Sequence, residues 1–368
     1  MRQVTDISSA FSDTYAEARE KFIAAANEAQ ATITSYEQAE KGPNGERLFI
    51  DFATVGPDDA ENAIIIVSGT HGVEAFCGAG IQVNILSNPD ELAKYADTKI
   101  VFLHGHNPYG WAWLRRGNQD NIDLNRNYVD FSRRFGSNEA YSEVHKLMLP
   151  DDFDVSATNA IDSWVEEHGQ AHFFTVALTG QRIDPNGIFY GGLEHAWATK
   201  TVSKALPTFV KNQKRVCLID VHTGMGGYAG ALILHAYEPG STNSDRFNDW
   251  YEDKVTNEME GVDTSEIEYD NSGAIATALD DLLPDHETLG VVIEYGVVDL
   301  RRTIDSLVAD NWLHAKGDLG SDQAKAIKQE NLDCLYGNTD DWKRKVWEHS
   351  SWMIESTAKG LRALCTKE

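Results

Sequence analysis

The chain alternates short, β-branched apolar runs with longer stretches in which apolar residues recur at helical spacing. The clearest apolar run, Ile64-Ile65-Ile66-Val67, predicts a strand buried on both faces. It leads into Ser68-Gly69-Thr70-His71-Gly72-Val73-Glu74, after which residues 75–86 read as a helix. Further strands are predicted over 48–54, 99–103, 173–178, 216–221, 231–236 and 291–293. Helices are predicted over 7–37 (as one or two), 139–147, 157–168, 194–212, 241–260 and, for the most part, 299–366. Asn44-Gly45 marks a turn, 109–138 reads as a polar loop, and 180–192 is a Gly/Pro loop of the length that forms lids or walls. Strands alternating with helices predict an α/β fold: a mixed, largely parallel twisted sheet flanked by helices on both faces. No shift in composition marks a boundary, so one domain over 1–368 is expected, with the N-terminal helices (about 7–37) and the helical C-terminal region (about 299–366) packed on it. Trp312, Trp342, Trp347 and Trp352 either cover the core or form a face for a homo-oligomer.

Charge narrows the partners. The 368 residues include 58 acidic and 32 basic ones, a formal net charge of −26, which repels nucleic acid and anionic membrane. An anionic substrate would have to be captured by local arginines. Cys77, Cys217, Cys334 and Cys365 form no C-x-x-C, which predicts free thiols in a reducing cytoplasm. Cys77, three residues past Glu74, is expected as a buried apolar residue and not as a ligand. The opening M-R-Q-V-T-D has no apolar stretch and no run of 18 apolar residues occurs, so neither a secretory leader nor a membrane span is expected.

The chemistry-bearing residues stand where apolar strands stop. Residues 64–67 lead to His71 and Glu74, 216–221 to His222, and 291–293 to Glu294. In a parallel sheet such ends converge on one edge, where ligands bind. H-x-x-E alone is a weak signal, and a single histidine at a strand end is more often structural. Their combination predicts one Zn²⁺ on His71, Glu74 and His222, an open three-ligand site that leaves a position for water. Glu294 would be the general base. Asp220, two residues before His222, points to the same side of a strand and would support that imidazole. A second cluster holds Arg115-Arg116 and Asp123-Leu124-Asn125-Arg126-Asn127-Tyr128; arginine and asparagine suit a substrate carboxylate or a developing oxyanion.

H-G-V-E after I-I-I-V, then N-P-Y-G, R-R, D-L-N-R-N-Y, V-H-T-G and V-V-I-E-Y-G, come in an order that resembles the zinc metallocarboxypeptidase superfamily, which includes the carboxypeptidase A-like and the succinylglutamate desuccinylase/aspartoacylase-like enzymes. Together with F-S-D-T-Y-A-E-A-R near the start and F-Y-G-G, they are most similar to a bacterial branch known only as a domain of unknown function. The resemblance implies a mixed sheet of about eight strands flanked by helices and zinc on His71, Glu74 and His222. It also implies Glu294 as base, Asn125 and Arg126 as binders of a substrate carboxylate, and one of Arg115 and Arg116 polarising the scissile carbonyl. Arg116 is favoured for that role, and Arg115 is then a substrate-binding residue. Digestive-type relatives close a tyrosine over the substrate from the loop before the base strand; here 270–289 has none, and Tyr269 is the nearest.

The expected protein is a cytoplasmic zinc hydrolase, most simply a carboxypeptidase-like metallopeptidase using metal-activated water, with a small peptide as substrate. The alternatives are an N-acyl-amino-acid deacylase and a non-catalytic binding protein on the same fold. The absence of G-x-S-x-G and H-E-x-x-H disfavours a serine hydrolase and a zincin protease.

Overall fold

The structure is a computed structural model that describes residues 6–133, 138–153, 155–251, 258–259, 262–263 and 273–365. Seven strands form one sheet: β1 (Thr32–Lys41), β2 (Arg47–Val55), β3 (Asn62–Ser68), β4 (Thr98–His104), β5 (Arg215–Tyr228), β6 (Ala231–Leu234) and β9 (Glu287–Gly296). Two short strands, β7 (Glu258–Met259) and β8 (Val262–Asp263), pair only with each other. The sheet order is β1-β2-β4-β3-β5-β9-β6. The four central strands, β4, β3, β5 and β9, are parallel; β1, β2 and β6 add antiparallel edges.

The period-2 alternation of the central strands divides the core. Ile64 and Ile66 of β3, with Ile219 of β5 and Val291 of β9, face the helices Tyr15–Glu28, Ala75–Leu86 and Asp340–Cys365. Ile65 and Val67, with Leu218, face the Trp197–Phe209 helix on the other side. Trp342 is fully buried in the first layer, and Trp347 and Trp352 pack against it. Among the described residues, no helix is long and apolar enough to cross a membrane.

Several elements differ from expectation. Residues 173–178 are helical, within Gln170–Leu178. A short apolar run suits a buried strand or a buried helix equally, and here Phe173, Phe174 and Ala177 line one helical face. The N-terminal helix ends at Glu28, and Thr32–Lys41 forms edge strand β1. Gln30, at φ 59, stops the helix, and β-branched Thr32, Ile33 and Thr34 then favour extended chain. One expected strand is lost and β1 is gained, and the sheet has seven strands beside the about eight that the resemblance implies. The strands carrying His222 and Glu294 also run on past those residues, to Tyr228 and Gly296, because the β5–β9 ladder continues through Thr223–Tyr295 to a bulge. The helix expected over 241–260 is seen as Thr242–Tyr251; residues 252–257 and 260 lie outside the described residues.

One buried histidine ties this core to pH. His104, at the end of β4, stacks on Phe22 with centroids 4.0 Å apart and lies 2.8 Å from Gln82 Oε1 through Nδ1. The Gln82 amide donates to the carbonyls of Ile66 and Leu103, so its oxygen must accept and His104 Nδ1 must carry the hydrogen. His104 Nε2 is left buried and without a partner. Burial accordingly pushes the imidazole down to about 3 from its ordinary 6.5. Between those two values the unfolded chain binds a proton that the folded chain refuses, so stability falls as pH falls through that window. The melting temperature is expected to drop between pH 7 and pH 4. His104→Asn, which keeps a donor toward Gln82 but does not titrate, should be less stable at pH 7 and lose less on acidification. An unchanged pH slope in that variant would contradict the assignment.

Candidate metal centre and cleft

Strand β3 is followed in sequence by β4 on one side of it, whereas β5 lies on its other side. The carboxyl ends of β3 and β5 therefore flank a topological switch point, where a crevice opens. His71 and Glu74 lie in the turn between β3 and the Ala75–Leu86 helix. That turn rests directly on the 108–115 segment: a Cβ on Gly72 would stand 2.1 Å from the Gly110 carbonyl and 2.3 Å from the Arg115 oxygen. Only glycine allows this approach, which explains the G of H-G-V-E. Across the switch point, His222 of β5 pairs in parallel register with Glu294 of β9.

His71, Glu74 and His222 converge, with one ligand atom from each within 4.8 Å of the others. His71 Nδ1 is 3.0 Å from Glu74 Oε1, His222 Nδ1 is 2.9 Å from Glu74 Oε2, and the two Nδ1 atoms are 3.1 Å apart. The far nitrogens face carboxylates: His71 Nε2 lies 3.0 Å from Asp123 Oδ1, and His222 Nε2 lies 2.8 Å from Asp220 Oδ2. Carboxylates accept, so each Nε2 carries a hydrogen, and with a cation at the centre each ring would present Nδ1 to it as a lone pair. The Thr223 amide donates to Glu74 Oε2 at 3.1 Å, and the two Nδ1 atoms converge on the same carboxylate.

The charges around this point ask for a cation. Glu74, Asp123 and Asp220 are all buried, and of these Arg116 neutralises Asp123 at 2.9 Å and stands 3.5 Å from Glu74. Burial opposes ionisation of Glu74, yet His71 and His222 outweigh it and hold the carboxyl well below its usual range. Burial likewise opposes charge on His222, yet Asp220 and Glu74 raise the ring well above its ordinary value. Positive charge is required here, from protons or from a metal ion. The nitrogen–nitrogen–carboxylate donor set suits a borderline-soft divalent cation such as zinc.

An open cleft begins at this point. Its polar end carries His71, Glu74, Arg116, Asn125, Arg126 and Glu294. Gly290, Val292 and Glu294 line it from one face of β9, at the strand period of two. Glu294 Oε2 is buried without a partner, and burial, reinforced by Glu74, pushes that carboxyl up to about 8. A cation on the three ligands would bring it back down toward the range of a base at neutral pH. Arg126 donates to the carbonyls of Asn125 and Leu178, and the Asn125 amide stands 3.2 Å from His222 Nε2. Of the expected site residues, His222 and Arg115 do not line this cleft: His222 lies behind Glu74, and the Arg115 guanidinium turns toward Asn121, 2.5 Å away, in an adjoining cavity.

Sequence reasoning gave Asp123 no role, although it stands at the head of D-L-N-R-N-Y. Its contact with His71 spans 52 residues, and no local spacing announces it. Thr70, His106 and Tyr128 extend the Asp220 side: Thr70 donates to Asp220 at 2.8 Å and meets His106 Nδ1 at 3.1 Å, and His106 Nε2 meets the Tyr128 hydroxyl at 2.8 Å. Cys77 is fully buried, its thiol pushed well above the usual value by burial, and it is not among the converging ligands. Tyr269 lies outside the described residues.

The architecture is that of the carboxypeptidase-like fold. Thrombin-activatable fibrinolysis inhibitor is similar with a TM-score of 0.53 at 11% identity, over 98% of this chain and 79% of that one. Carboxypeptidase A from Helicoverpa armigera (TM-score 0.45, 13% identity, 92% and 73% of the two chains) and metallo-carboxypeptidase from Burkholderia cenocepacia (0.36, 11%, 91% and 69%) are also matched. Within that fold, the chain belongs to the family described as "Protein of unknown function (DUF2817)", whose model matches residues 11–349. No curated protein matches the sequence.

If Asp220 orients the His222 ring toward a cation, Asp220→Asn should weaken divalent-metal affinity by about 10- to 100-fold. Titrating chelator-treated protein with Zn²⁺ measures this, and an unchanged dissociation constant would show that Asp220 does not orient the ring.

Proposed function

We propose that the chain is a zinc-dependent hydrolase that cleaves an amide bond next to a carboxylate-bearing residue, in the manner of a carboxypeptidase. The observation that carries this reading is the meeting of two imidazoles and a carboxylate at the end of a cleft that also holds two arginines and a glutamate whose Oε2 has no partner among the described residues.

Bound zinc would supply a lowered pKa for the attacking water and polarisation of the scissile carbonyl. The residues supply the rest. Arg126, with Asn125, offers its guanidinium face to the carboxylate of the substrate's terminal residue and so fixes which bond reaches the ligand cluster. Glu294 takes the proton from the attacking water and delivers it to the leaving amine, so its carboxyl ends the cycle as it began. Arg116, held by Asp123, donates to the carbonyl oxygen as negative charge gathers there. The apolar end of the cleft, with Leu234, Ala276, Val292 and Leu300, receives an uncharged part of the substrate. The products are a free amino acid and the acid of the acyl half. A short peptide and an N-acyl amino acid both present this bond, and the net charge of −26 sets nucleic acid apart as a partner.

Glu294→Gln preserves size and removes the base. It is expected to keep its metal and lose turnover by about 10²- to 10⁴-fold. Metal analysis alongside an assay on peptides and N-acyl amino acids checks both halves, and near-normal turnover would remove Glu294 from the mechanism.

A further inference from the structure

Behind Arg116 a smaller cavity adjoins the main cleft. Arg115, Asn121 and Asp310 line it, and it shares Arg116, Phe189 and Leu307 with the cleft. Its unusual member is Arg115, which is 5% exposed. A guanidinium that far from water is costly to hold unless a carboxylate meets it. Among the described residues, none lies within ion-pairing distance. Asn121 Oδ1 accepts from Nη2 at 2.5 Å, and Arg115 Nε is buried with no partner at all.

The acids nearby are already taken. Asp310 accepts from Lys328 at 2.5 Å, and Asp123, which also lines the cavity, is matched by Arg116 at 2.9 Å. His314, beside Lys328, is held neutral by burial. Arg116 and Lys328 each have a carboxylate within ion-pairing distance, and Arg115 has none among the described residues. The wall between the two cavities is itself unusual. Phe189 holds φ 57, a conformation that a bulky residue adopts only under constraint, with its ring 4.9 Å from the Arg116 guanidinium.

We propose that this cavity is an anion subsite in which Arg115 receives a carboxylate carried on the acyl half of the substrate. The inference rests on the hydrolase reading above and extends it. Arg126 and Asn125 hold the half that leaves as an amino acid, and Arg115, on the far side of Arg116, selects the half that keeps the carbonyl. That carboxylate has two sources of the same chemistry, an acidic penultimate residue of a peptide or a dicarboxylic acyl cap.

The test compares kcat/KM for two matched pairs, N-acetyl-Glu-Leu against N-acetyl-Gln-Leu and N-glutaryl-Leu against N-glutaramoyl-Leu. Both acids place the carboxylate three carbons beyond the scissile carbonyl. The wild type is expected to prefer the acidic member by about tenfold or more, the worth of a charge-assisted hydrogen bond. In Arg115→Gln that ratio should fall toward one. Preference in the first pair alone points to peptides, and in the second alone to acyl caps; either supports the subsite. Cleavage without preference in the wild type, or a preference that survives Arg115→Gln, overturns the subsite and leaves the hydrolase reading standing. If no substrate is cleaved, the hydrolase reading has failed, and titration with glutarate decides the subsite by itself. Binding that Arg115→Gln weakens supports it; no binding, or binding that Arg115→Gln leaves intact, overturns it. The wild-type ratios stand as a test even if the variant does not fold.

Discussion

The interaction on which the rest depends is the unbalanced electrostatics at the meeting of β3 and β5. Two imidazoles turn their Nδ1 atoms toward a buried carboxylate, while two further carboxylates hold the imidazoles from behind. Without a positive charge at the centre, this arrangement would be strongly destabilising in a buried setting. The chain meets part of that demand from Arg116. The remainder is the demand that protons meet in the free site and that, on the proposed reading, a metal ion would meet.

The fold makes this affordable by being rigid around it. Strand β3 is buried along its whole length, β4 and β5 pair with it in register, and a helix packs against it immediately after the ligand turn. Gly72 lets the ligand turn lie against the segment that leads to Arg115 and Arg116. The sheet, the metal-type cluster and the arginines thus form one connected unit. The charges beyond it follow the same logic: Asp123 is matched by Arg116 and Asp310 by Lys328, and among the described residues no carboxylate pairs with Arg115.

Much of this was legible in the sequence, for definite reasons. The central strands are β-branched runs buried on both faces, and their pattern has few other readings. His71, Glu74, His222 and Glu294 each follow such a run, so finding them together needed only the rule that parallel strand ends converge. Edge strand β1 was hidden because one of its faces meets solvent and its sequence is mostly polar. Residues 173–178 were misread because six apolar residues carry no decisive period. Asp123 could not be found because its partner is set by the path of a long loop. The lack of an ion-pair partner for Arg115 is likewise a property of three-dimensional neighbours, invisible in an R-R dipeptide.

The most direct test of the central claim is zinc content by elemental analysis, on the wild type and on His71→Ala/His222→Ala, both purified without added metal. The account predicts about one zinc per wild-type chain and its loss in the double variant. A wild type that holds no metal even when zinc is supplied, or a double variant that holds as much, would contradict it.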